Sequence, residues 1–108
     1  MRLRQAAVTT VGVLTLLLSI PTPASAASGA FEYQHGRGLP GLLVNPQSAE
    51  CINIPGATED DPAFAPWNLT TSTAVAFLEA DCAGDVFRTM VPGTRLGNRL
   101  HLRSVLFS

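Results

Sequence analysis

The stretch FLEADCAG, Phe77 to Gly84, places a cysteine five residues after a phenylalanine and a glycine two residues after the cysteine. It completes TAVAFLE, Thr73 to Glu79, whose β-branched and aromatic content is that of a strand. Gly84 then supplies a residue that enters positive φ without steric cost, so the segment predicts a strand running into a hairpin that folds back over the Phe77 ring. The same seven-residue interval occurs in FEYQHGRG, from Phe31 to Gly38. Each copy is followed by a strand with apolar alternation, CINI (Cys51–Ile54) in the first and SVLF (Ser104–Phe107) in the second. The echo predicts two related four-strand units.

Working outward, short strand-like runs are separated by turn residues, and no amphipathic helix of useful length is present. Strands are expected at Phe31–His35, Gly41–Asn45, Glu50–Ile54, Thr73–Glu79, Val86–Val91 and Leu102–Phe107. ATEDDPAFAP, with two prolines and three consecutive acids, reads as a long loop. Asn68-Leu69-Thr70 has the form of a glycosylation sequon but is expected to make a turn before the central strand, and Trp67 beside it to pack into the core. In the last strand Val105 and Phe107 share a face, which leaves Leu100 and Leu102 to the incoming loop.

The first 26 residues have the layout of an export signal. Arg2 and Arg4 precede a mostly apolar run from Ala6 to Ile20, and Ala24-Ser25-Ala26 forms a small-x-small cleavage site, with Ala27 an alternative end. The run falls short of the ~20 residues that cross a bilayer, so no stable membrane anchor is expected. Residues 27–108 then form one small domain, secreted to the extracellular space. Five arginines remain against eight acids, a formal charge of −3, which argues against nucleic acid as a partner.

Cys51 and Cys82 are the only cysteines. In an oxidising compartment an even pair in a small domain forms a disulfide, and the loop closed here would be worth roughly 3.5–4 kcal/mol in the chain-entropy model. The other readings are a metal site, which needs more His or Cys at short spacing than His35 and His101 provide, or a reactive thiol.

Together these residues resemble the βγ-crystallin superfamily, whose Greek-key motif has an aromatic, four residues, a second aromatic, one residue and a glycine, with a serine before a later apolar strand. Phe77 and Gly84 match the first aromatic and the glycine, Cys82 stands at the second aromatic, and Ser104 matches the serine. In the first copy Phe31 and Gly38 fit, Gly36 stands at the second aromatic and Cys51 at the serine. The resemblance implies a small all-β Greek-key sandwich of two four-strand motifs with one disulfide. It assigns Ser104 the task of hydrogen-bonding the folded hairpin and makes Cys51–Cys82 a tie between motifs. A small disulfide-bonded β-sandwich of another kind is the alternative. Many members bind Ca²⁺ through an acid or amide pair that here reads Arg99, Leu100, with Arg103 at a ligand position, so no metal and no other cofactor is expected.

No catalytic motif is present, and the chain is not expected to be an enzyme. Small exported members of the family include a metalloproteinase inhibitor, so the resemblance implies a monomeric secreted binding protein, a protease inhibitor being one form of it. A toxin-like or cell-envelope-interacting extracellular protein is the alternative. An inhibitor needs an exposed, rigid loop. The candidates are Pro55–Trp67, carrying Glu59, Asp60, Asp61 and Trp67, and Pro92–Arg99, carrying Arg95 and Arg99.

Overall fold

A computed structural model describes residues 25–108, and the expected export signal over residues 1–26 lies outside them but for its last two residues. Eight strands follow in chain order: β1 Gly29–His35, β2 Leu39–Val44, β3 Cys51–Asn53, β4 Ala63–Thr70, β5 Ala74–Phe77, β6 Phe87–Met90, β7 His101–Leu102 and β8 Ser104–Phe107. They form two four-stranded antiparallel sheets, ordered β2-β1-β4-β7 and β3-β8-β5-β6. Each sheet thus holds the first, second and fourth strands of one half of the chain and the third strand of the other half. Neither half completes its own sheet.

Period-2 alternation decides which side chains meet between the sheets. Phe31 and Tyr33 of β1, Asn68 and Thr70 of β4 and Leu102 of β7 face Ala74 and Ala76 of β5, Met90 of β6, and Val105 and Phe107 of β8, all buried. The Phe31 and Phe107 rings meet edge to face across the sandwich, centroids 5.4 Å apart at 87°. Alanines at 63, 74 and 76 leave room for these rings, and truncating either ring would cost about 3–5 kcal/mol.

Several sequence expectations are corrected. The loop expected through Pro66 ends earlier, because Ala63–Thr70 is β4, a strand paired on both sides. Its proline is accommodated by an irregularity: Ala65 sits at φ 52 and the β1–β4 register shifts between Glu32 and Gln34. CINI is therefore the third strand of its half, and β4 the fourth. Leu102 is not in an incoming loop. It is fully buried in β7, on the sheet opposite β8, and the chain changes sheets at Arg103, whose N–H donates to the Phe77 carbonyl (2.8 Å).

The phenylalanine–glycine echo is also corrected. Phe31 points into the core, whereas Phe77 lies on the outer face of its sheet, half-buried against Phe87 (5.8 Å between centroids). The first hairpin is a tight turn over residues 36–38, closed by Gly38 N–H to the His35 carbonyl (3.1 Å), and does not fold over a ring.

Candidate functional site

The second hairpin fixes one end of the molecule. After Phe77 the chain makes a short 3₁₀ turn, Ala80–Cys82, in which Asp81 and Cys82 adopt positive φ, and Gly84 follows at φ 83. Ser104 Oγ, fully buried, accepts from the Cys82 N–H (2.8 Å) and donates to the Glu79 carbonyl (2.6 Å). Asn53 and Asp81 exchange two bonds: Asp81 N–H to Asn53 Oδ1 (2.7 Å) and Asn53 Nδ2 to Asp81 Oδ1 (2.9 Å). Cys51 and Cys82 form a disulfide, which ties the hairpin to β3, the strand contributed by the other half. Arg103 reaches Glu79 at 3.6 Å, a half-exposed ion pair of small energetic weight. These groups shape and hold the backbone. Among the described residues no three His, Cys, Asp or Glu side chains converge on a metal-sized site.

A second construction organises the loop Val91–Leu100 between β6 and β7. Asn68 is fully buried in β4, yet all of its polar groups are used. Its Nδ2 donates to the Met90 and Ser72 carbonyls (both 2.8 Å), and its Oδ1 accepts from the Thr70 hydroxyl (2.7 Å) and N–H (3.1 Å). Its backbone N–H donates to Thr94 (2.8 Å), and its carbonyl accepts from Gly93 (2.7 Å). Leu96 N–H donates to the Pro66 carbonyl (2.9 Å). The segment Gly93–Leu96 is thereby laid along β4, on the edge that β7 occupies further on. Arg95 stacks over Trp67 at 4.5 Å, a cation–π contact worth about 0.5–1 kcal/mol at a surface site.

The sequence-derived candidates separate on this frame. Trp67 and Arg95, from two different candidate loops, are brought together, and Trp67 is half-buried on an outer face beside Glu32 and Gln34 rather than in the core. Arg99 lines an open depression of about 390 Å³ with Arg88, Leu96 and Asn98. Glu59, Asp60 and Asp61 are exposed in the loop between β3 and β4. That loop is closed by Thr58 N–H to the Asp61 carbonyl and Asp61 N–H to Thr58 Oγ1, both 3.0 Å. Among the described residues the ion pair present is Arg103–Glu79; Arg88, Arg95 and Arg99 have no carboxylate within 4 Å, and Glu32 lines the same depression as Arg95.

The sequence reading misses the roles of two residues. Asn68 was read only as a turn former. It does hold the turn after β4, but as a buried strand residue that also anchors Met90 and the loop. Arg88 belongs with Arg99, and the signal was the alternation of VFRTMV, which puts Arg88 on the same face as Met90 at the rim of the core.

No family model, curated protein or solved structure matches this chain. The function therefore has to be argued from the geometry above.

Proposed function

We propose that this protein is a secreted, non-enzymatic binding protein of βγ-crystallin-like fold that presents the loop Val91–Leu100 to an extracellular protein partner, acting as a protease inhibitor. The fold reading draws support from the exchange of third strands between the two sheets and from Ser104, which bonds the folded hairpin as the family's serine would. The disulfide is in keeping with an oxidising compartment.

One observation carries the functional reading. The loop Val91–Leu100 is pinned at its backbone and by Leu96, which packs against the core, while its charged side chains stay outside. Gly93, Thr94 and Leu96 are bonded to β4, and Leu100 N–H closes a further turn onto the Gly97 carbonyl (3.1 Å). Val91 is 57% exposed, and Arg95 and Arg99 are exposed. A loop held in this way loses little conformational freedom on binding, which is the requirement for tight association through a small surface. The unpaired arginines give it a positive face on an otherwise acidic chain and suit a partner with acidic groups around its cleft.

The test is an inhibition panel of extracellular serine, cysteine and metalloproteases with the purified protein and its Arg95→Ala and Arg99→Ala variants. The expected result is inhibition of at least one protease class that weakens by about tenfold or more in a loop variant whose melting temperature is retained. Absence of inhibition across all classes would reject the inhibitor reading. Inhibition indifferent to both substitutions would reject the loop.

A further inference from the structure

Two four-stranded sheets leave four edges, and three of them are blunted in ways that natural sheets use. β7 is two residues long. β3 is three residues long and carries the disulfide and the Asn53 bonds to the hairpin. β6 carries the exposed Arg88. β2 lacks these three protections and carries one of another kind, Pro40 near its start. It is six residues long, LPGLLV, without a charged side chain, and its outer edge has no partner among the described residues.

The peptide groups that face outward can be identified. Asn45 N–H donates to the Gly29 carbonyl (2.8 Å), which makes Gly29–Asn45 a hydrogen-bonded pair. Antiparallel alternation then gives Phe31–Leu43 and Tyr33–Gly41 the same status. The N–H and C=O groups of Leu42 and Val44 point away from β1. Pro40 falls on the same parity, so the missing N–H is one that would have faced the open edge, a place where a strand tolerates proline. Beyond Val44 the strand bends at Asn45, φ 46, into Pro46. The open window is therefore short and bounded: two donors and two acceptors between a proline and a bend.

We infer that this window pairs with the same window of a second copy, antiparallel and centred on Leu43. Leu42 of each copy then lies opposite Val44 of the other, and each copy donates two hydrogen bonds and accepts two, so all four outward groups are satisfied. Leu42 and Val44, 55% and 65% exposed, lie on the outer face, and the two copies bring four such side chains into one cluster. Leu69, 40% exposed, continues each row beyond Ala30. The absence of charge on β2 makes this edge compatible with a second copy. Two chains of the same net sign repel each other, and this edge lets them meet without placing a charged side chain of β2 in the contact. The area is below that of a standard interface, so the dimer is weak and concentration-dependent. Each copy has one such window, so association closes at two.

Sedimentation equilibrium of the purified protein over about 10 μM to 1 mM tests this, the range in which a small interface saturates. The weight-average mass should rise from one copy towards two and stop there. Leu42→Lys puts a charge on the exposed outer face, and Leu42→Pro removes both an outward N–H and the exposed side chain while sparing the bonds to β1. Each should weaken association by about tenfold or more. Should the proline variant fail to fold, the lysine variant carries the comparison. Leu43→Cys provides a readout of register, because the centred pairing sets the two introduced thiols opposite each other in a non-hydrogen-bonded pair, where a disulfide forms on oxidation. Thr89→Cys, on exposed β6, is the control. One-copy mass throughout, with or without capture of an extended peptide, overturns the inference. Growth past two copies, or cross-linking of the Thr89→Cys control as readily as of Leu43→Cys, overturns it too.

Discussion

The two hairpins arise from similar sequence intervals and are held in different ways. In the first, β1 and β2 pair up to the mouth of a three-residue turn, and the stabilisation lies in the plane of the sheet. In the second, the ladder ends with the Leu78 N–H to Val86 carbonyl bond (3.1 Å), and residues 79–85 fold over the outer face of β8, where Ser104 bonds them. That segment has few partners in its own plane, and it places Asp81 and Cys82 in a backbone region unfavourable for residues with a side chain. It is held by attachments from outside the hairpin: the disulfide to β3, the Asn53–Asp81 exchange, and Ser104 beneath. The difference explains the placement of the disulfide. It lies in the hairpin with the shorter ladder and two consecutive non-glycine residues at positive φ, and it binds the strand that the other half contributes.

The largest break in this comparison comes from removing that tie. Cys51→Ser with Cys82→Ser should cost roughly 3.5–4 kcal/mol by loop entropy, seen as a lower denaturant midpoint with a steeper slope, because the denatured chain freed of its cross-link exposes more surface. Amide hydrogen exchange should rise first in residues 79–85 and leave the 36–38 turn protected to a similar degree. Uniform acceleration in both hairpins would mean that the tie stabilises the whole molecule and not the folded segment.

Ser104→Ala follows in size. It strands the Cys82 N–H and the Glu79 carbonyl, and with both groups part-buried the expected cost is about 2–3 kcal/mol in thermal unfolding. A loss below that of an ordinary surface substitution would show that the hairpin re-forms without the serine.

How much of this was legible follows from which forces are local. The strand identities of β1, β2, β5 and β6 and the cysteine pair were readable, because alternation, turn residues and cysteine count act over short spans or need no geometry. β4 was not readable: Pro66 is a local argument against a central strand, and the bulge at Ala65 that admits it is a tertiary accommodation. Leu102 was misplaced because parity within one strand cannot reveal that the chain changes sheets at Arg103. The Phe31–Phe77 echo misled because an interval of seven says nothing about which face a ring takes. In the candidate site, Arg95 and Arg99 were picked out as loop residues. The placing of Arg95 over Trp67 depends on the loop that Asn68 holds, and Asn68 has partners two to twenty-six positions away.

Glycine substitutions give a smaller effect and sharpen the comparison by failing to separate the hairpins. Gly38 (φ 94) and Gly84 (φ 83) both occupy the left-handed region, so valine at either should cost about 1–2 kcal/mol. Ala83→Val, an exposed neighbour, should be near neutral in the same thermal scan. If Gly84→Val melts no lower than Ala83→Val, the strain attributed to the second hairpin is absent, and the disulfide and Ser104 act on a relaxed segment.

The smallest effect at neutral pH belongs to the first hairpin and appears only in alkali. Tyr33, 5% exposed on the inner face of β1, is the single tyrosine, and burial raises its phenol above the ordinary value of 10.0 by disfavouring the charged form. The folded state therefore holds this proton more tightly than the unfolded chain. Its contribution to stability is complete below pH 10 and is lost as pH rises through the folded-state value, because the unfolded chain then binds fewer protons. Ultraviolet titration of tyrosinate reads this one group directly. The midpoint should lie above that of the denatured protein, and stability should fall over the same interval. Tyr33→Phe keeps the buried ring, removes the titration and should flatten the alkaline limb. Because the second hairpin has no tyrosine, an alkaline loss that persists in Tyr33→Phe has another origin, the alkali-sensitive disulfide being the one that lies in the second hairpin. Repeating the titration on the Cys51→Ser, Cys82→Ser protein separates the two origins and assigns the alkaline weakness to one hairpin or the other.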